Sequence, residues 1–129
     1  MSDELITQLL SAQRIAVVGM SEGRISGRIG QFLKSRGKEV LPVNPTADRV
    51  YGMKTYTSLA DVPGKIDLVN VFRRPEFCAD VVREAIEVQA GGVWLQSGIT
   101  SEEAEKLAAE ANLPFVQDRC IMVELAARG

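Results

Sequence analysis

Five short segments gather residues suited to holding an anion, and each follows a run of apolar residues at once or within one residue. Gly19, Met20 and Ser21 follow Ile15–Val18, with Arg24, Ser26 and Arg28 continuing the same loop. Asn44 and Pro45 follow Val40–Val43, Arg73 and Arg74 follow Ile66–Phe72, Gln96, Ser97 and Gly98 follow Val93–Leu95, and Asp118, Arg119 and Cys120 follow Phe115–Val116. Glycine lets backbone N–H groups approach a charged oxygen, amides and hydroxyls add donors, and the arginine fork matches phosphate. The chain contains no histidine and only two cysteines. It therefore lacks the commonest metal ligand and general base, which disfavours zinc chemistry and histidine-based triads. No catalytic residue and no metal ligand is assigned, and the chain is expected to bind rather than to catalyse.

Those segments are useful only if one framework brings them together. The apolar runs are β-branched or aromatic without clean alternation, as strands covered on both faces are. Helical patterns lie between them: Ile25, Ile29, Phe32 and Leu33 up to Gly37, then Phe77, Val81, Ala85 and Val88 up to Gly91, then Ala104, Leu107, Ala108 and Ala111. Pro75 suits the first position of the second of these helices, and Thr100 with Glu103 reads as a capping box for the third. Asn44–Lys65 is the least regular stretch, with an edge strand expected around Lys54–Tyr56 and a helical turn after Ser58, whose cap Asp61 answers. Alternating strands and helices predict a doubly wound, Rossmann-like, mostly parallel α/β sheet of three layers, with strand order 3-2-1-4-5-6. In such sheets ligands lie beyond the carboxyl ends of the strands, where the five segments fall.

The 129 residues suit one domain, 1–129, with residues 1–12 carrying an extra N-terminal helix whose stripe is Leu5, Ile6, Leu9 and Leu10. That helix is expected to pack on the sheet or on a second copy of the chain, so a homo-oligomer is left open. A formal net charge of −2 argues against nucleic acid and anionic membranes as partners, and no apolar run approaches the roughly 20 residues that span a bilayer. Asp3 and Glu4 stand where a secretory signal would be basic, which predicts a cytoplasmic protein. Trp94 and Cys78 are read as core, and Arg36 and Arg49 as solvated surface.

The first loop approaches the dinucleotide fingerprint without meeting it, because Gly19 is followed by Gly23, Gly27 and Gly30 rather than by glycines two and five residues on. The second strand ends in Asn44 and Pro45, with no acidic residue to take a ribose hydroxyl. NAD(H) is weakened on both counts. The stretches "IAVVGMS", "GKEVLPVNP", "YGMKTYTSLADVP", "IDLVNVFRRPE", "VWLQSGI" and "DRCIMVE", in this order and spacing, resemble the small stand-alone CoA-binding proteins. These are similar in turn to the CoA-binding domain of the succinyl-CoA synthetase α subunit.

The resemblance covers nearly the whole chain and implies a ligand, coenzyme A or an acyl-CoA. Carried over by position, it implies that Gly19, Met20, Ser21 and Ser26 line the phosphate end. Val43, Asn44 and Pro45 would flank the adenosine, and Phe72, Arg73 and Pro75 would close the nucleotide slot. Gln96, Ser97 and Gly98 would lie further along the pantetheine path. Arg24, Arg28 and Arg74 are the remaining phosphate candidates, and the resemblance does not choose between Arg24 and Arg28. The synthetase ligates through a phosphohistidine brought by a second domain, and this chain has neither. The alternatives are an NAD(H)-binding enzyme or redox sensor on the same fold, and an interaction module with a vestigial pocket. Cys120 is read as a buried, inert thiol, with a mixed disulfide to CoA as its alternative role.

Overall fold

Each β-branched run becomes a strand because a helix on one sheet face or the other returns the chain for parallel pairing. The computed structural model describes residues 2–128, so the outermost residue at each end of the expected 1–129 domain lies outside the described residues. In chain order the elements are α1 (Asp3–Leu10), β1 (Arg14–Val18), α2 (Ile25–Ser35), β2 (Glu39–Val43), β3 (Arg49–Val50), β4 (Met53–Lys54), a 3-10 turn (Leu59–Asp61), β5 (Leu68–Val71), α3 (Pro75–Glu87), β6 (Val93–Leu95), α4 (Glu102–Glu110), β7 (Phe115–Val116) and α5 (Ile121–Arg128).

Five strands pair in the order β2-β1-β5-β6-β7, all parallel. This matches the expected arrangement except at its third strand. There the expected edge strand shrinks to one parallel bridge between Tyr56 and Val43, held by Tyr56 N–H to Pro42 O and Asn44 N–H to Tyr56 O, both 2.9 Å. Thr57 and Ser58 turn away at once to donate to Asp61, which ends the pairing. The preceding residues form a hairpin of their own, β3 with β4, whose turn residues Tyr51 and Gly52 have φ of 50° and 77°. Positive φ at both central positions is the turn geometry that suits the twist of a two-residue hairpin.

Alternation along the buried strands sorts the core into two halves. Ala16, Val18, Leu41, Val69, Val71, Val93 and Leu95 face α3, α4 and the 3-10 turn. Ile15, Val17, Val40, Leu68, Trp94 and Val116 face α1, α2 and α5. The N-terminal helix therefore packs on its own sheet, with Ile6, Leu9 and Leu10 only 1%, 3% and 6% exposed. Ser2 caps it by accepting from Leu5 N–H, and Arg128 in α5 pairs with Asp3 at 2.9 Å. The cap of α4 falls one residue later than the box expected at Thr100: Ser101 Oγ accepts from Ala104 N–H, and Glu103 pairs with Arg83 instead. Trp94 and Cys78 are core, as their apolar neighbours in sequence imply. Among the described residues no helix is long and apolar enough to cross a membrane.

Candidate functional site

The chain leaves β1 for β2 on one side and later returns to place β5 on the other, so the sheet's switch point lies between β1 and β5. Gly19 closes the end of β1 at this point. Its φ is 88°, and a Cβ there would stand 2.4 Å from the Phe72 carbonyl oxygen, so only glycine lets the ends of β1 and β5 meet. Beyond it, the loop folds tightly onto α2. Ser26 Oγ accepts from Ser21 N–H at 3.0 Å, and a Cβ on Gly27 would lie 2.2 Å from the Ser21 carbonyl. Met20 drops into the space that Gly30 leaves and is fully buried.

Asn44 ties this loop to the one after β2. Its Nδ2 donates to Met20 O at 3.0 Å, and its Oδ1 accepts from Thr46 N–H, Thr46 Oγ1–H and Ala47 N–H. Tyr51, carried by the hairpin, accepts from Gly23 N–H at 2.9 Å and pins the loop from above.

Around this frame runs a three-part crevice. A slot of about 150 Å³ lies between Gly19, Val43, Pro45, Thr57, Ser58, Leu59 and Arg73, with Val81 and Glu84 of α3 behind. A polar cleft of about 290 Å³ sits at the start of α2, bounded by Gly23, Arg24, Ile25, Arg28 and Tyr51. A third, mostly apolar cleft of about 480 Å³ lies between Ile25, Ile29, Phe72, Arg73, Arg74, Pro75, Gln96, Ser97, Ile99 and Cys120. Arg73 borders the first and third, and Ile25 the second and third, so the parts adjoin one another.

Positive charge predominates around the crevice, with Glu84 the carboxylate in the wall of the slot. Arg14, Arg83, Arg119 and Arg128 each hold a carboxylate within 4 Å. Among the described residues Arg24, Arg28, Arg73 and Arg74 hold none; Arg73 instead lies over the Phe77 ring, 4.7 Å from its centre. Helix α2 has no side-chain cap and no acidic residue in its first turn, and α3 has no side-chain cap either. Glu76 lies in the first turn of α3, so it is the start of α2 together with four arginines that leaves positive charge uncompensated around one groove, the arrangement that binds phosphate oxygens.

Of the residues singled out in the sequence, Gly19, Arg24, Arg28, Val43, Pro45, Phe72, Arg73, Arg74, Pro75, Gln96 and Ser97 border the crevice. Five do not. Met20, Ser26 and Asn44 are buried beneath it and shape the loop, Ser21 is engaged within that loop, and Gly98 turns its N–H to Asp118 at 2.7 Å. Short polar side chains after a strand serve a turn as readily as a ligand, and here the turn takes them. Residues missed from the sequence are Tyr51, Thr57, Ser58 and Ile25. Cys120, expected to be buried, is half-buried on the cleft wall. The Tyr51-Gly52 turn pair was the one available signal for the hairpin. Among the described residues no cluster could hold a metal.

Parallel strands between two helical layers, with the switch point open between β1 and β5, make this a single-domain Rossmann-like α/β protein. Residues 13–126 match the family model described as CoA binding domain, and the chain belongs to that family. It is 40% identical over 117 residues to the uncharacterized protein YneT of Bacillus subtilis, covering 89% of this chain and 87% of that one. It is 30% identical over 105 residues to acetate–CoA ligase [ADP-forming] II of Archaeoglobus fulgidus, covering 78% of this chain but 16% of the enzyme. A solved structure of a hypothetical protein from Pyrococcus horikoshii superposes with a TM-score of 0.94 at 37% identity, covering 98% of this chain and 92% of that one.

Proposed function

We propose that the protein binds coenzyme A or an acyl-CoA across the carboxyl ends of its strands, as a binding, carrier or regulatory protein. The observation that carries this reading is the grouping of Arg24, Arg28, Arg73 and Arg74, all without carboxylate partners among the described residues, around a groove that ends in an apolar cleft. CoA has the matching polarity, with a pyrophosphate and a 3′-phosphate at one end and a long, weakly polar arm at the other. In this reading the start of α2 takes phosphate, the slot beside Val43 and Pro45 takes the adenosine, and the apolar cleft takes the pantetheine arm. Family membership supports the same ligand. Relatives named as CoA ligases share only a small part of their length with this chain, so the common portion favours the common ligand and not their reaction. The NAD(H) alternative has less to stand on, because Asn44 at the end of β2 has its amide occupied inside the loop.

Thermal unfolding with added ligand tests the proposal. CoA at about a hundred times its Kd stabilises by roughly 2.7 kcal/mol, a rise of several degrees in Tm, and 3′-dephospho-CoA gives a smaller rise at equal concentration. No shift with millimolar CoA would overturn the reading in favour of a vestigial pocket. Protection by NADH in place of CoA would assign the crevice to a nicotinamide dinucleotide.

A further inference from the structure

The apolar cleft has a thiol in its wall. Ile25, Ile29, Phe72 and Ile99 supply hydrocarbon, and Cys120 stands among them at the start of α5, half-buried. The other cysteine is of a different kind. Cys78 is fully buried and directs its thiol at the Arg73 and Arg74 carbonyls, and burial pushes that thiol up from its ordinary value.

A second feature of the same cleft points to a ligand independently. Gln96 is 4% exposed and lines the cleft, yet only one end of its amide is satisfied. Its Oε1 accepts from Asn70 Nδ2 at 2.9 Å and from Ile121 N–H at 3.0 Å, whereas its Nε2 has no hydrogen-bond partner among the described residues. The Ile121 N–H fixes this orientation, because turning the amide over would set donor against donor. Nε2 is thus a free donor at the cleft wall, and the amide carbonyls of a pantetheine arm are acceptors of the right kind.

We propose that this cleft receives the thiol end of CoA and that Cys120 exchanges with CoA disulfide to form a protein–CoA mixed disulfide. The proposal rests on the CoA-binding reading above. The Cys120 thiolate attacks one sulfur of the disulfide, a new Sγ–S bond forms, and the original S–S bond breaks. The second CoA departs as a thiolate with the bonding electron pair and takes up a proton, replacing the one that Cys120 released. One disulfide is consumed and one is made, so no further oxidant enters. The nucleotide half of the ligand stays in its slot throughout, and a dithiol reverses the step.

The test is intact-mass measurement under non-reducing conditions, after reduced, desalted protein is mixed with CoA disulfide. The expected product is heavier than the reduced protein by one CoA less two hydrogens, maps to the peptide containing Cys120, is removed by dithiothreitol and is absent from Cys120→Ser. It forms on the order of tenfold faster or more than the adduct from glutathione disulfide at equal concentration, because the nucleotide slot concentrates the first reagent and not the second. Thermal shift with reduced CoA on both wild type and Cys120→Ser separates the two claims. If both bind CoA yet no adduct appears, or if it maps to Cys78, or if glutathione disulfide reacts equally fast, the exchange is overturned and CoA binding stands. If neither protein binds CoA, the underlying reading falls first.

Discussion

Arg73 is the residue on which two parts of the crevice turn, since it borders both the slot beside Val43 and Pro45 and the apolar cleft. The Phe77 ring holds its guanidinium by a cation–π contact instead of a carboxylate, which leaves its hydrogen-bonding edge free for phosphate. Arg73→Ala should raise the Kd for CoA roughly ten- to hundredfold, the equivalent of about 1.5–3 kcal/mol for a charged hydrogen bond, as read by calorimetry. An unchanged Kd would return Arg73 to the solvated surface. Glycines of the first loop make a sharper contrast. A Cβ on Gly27 meets the Ser21 backbone oxygen at 2.2 Å, whereas one on Gly30 meets only the end of the flexible Met20 side chain. Alanine recovers up to about 1 kcal/mol of helix propensity at either site, against an overpacking cost of about 1–3 kcal/mol. Gly27→Ala should therefore destabilise more than Gly30→Ala in urea unfolding and should also weaken CoA binding, because it moves the loop.

At the scale of elements, the 3-10 turn is held by Asp61, whose carboxylate accepts from the Thr57 and Ser58 hydroxyls on the rim of the slot. Those hydrogen bonds hold its carboxyl below the ordinary 3.8. A carboxylate with a depressed pKa in the fold lends stability that is present above 3.8 and is lost as the pH falls through the folded value. Wild type should lose this part of its stability in that acid window, and Asp61→Asn should not; parallel acid unfolding curves would refute the assignment.

Strands and helices were legible in the sequence because burial on both faces forces continuous β-branched runs such as Ile15–Val18, and helix stripes such as Ile25, Ile29 and Leu33 repeat at a fixed spacing. The Asn44–Lys65 segment was not, because its form depends on contacts remote in sequence. Tyr51 reaches back to Gly23, and Tyr56 pairs with β2 for a single bridge. Within the site, the arginines were legible from their place at strand ends. Ser26, Asn44 and Met20 were harder to read, since a loop that must fold tightly onto a helix uses such small, polar and apolar groups for itself.

At the scale of the whole molecule, α1 is part of the core and not an arm. Its Ile6, Leu9 and Leu10 are buried against the sheet, and each is worth about 1.5–3 kcal/mol in transfer energy. Removing residues 2–11 should lower the stability by several kcal/mol, a large share of the 5–15 kcal/mol usual for a domain, as read by chemical denaturation. A shortened chain with an unchanged midpoint but a smaller mass in solution would instead make the helix an interface. The same helix lies beside α5, with Asp3 and Arg128 joined by an ion pair at 2.9 Å. A short flexible linker between residues 2 and 128 could therefore close the domain into a ring, and fresh ends could be opened at the exposed Pro63–Gly64 bend, which borders none of the three parts of the crevice. A circular permutant of this kind would keep every strand neighbour while moving both tethering points to a new edge, which makes the fold a convenient insert within other chains.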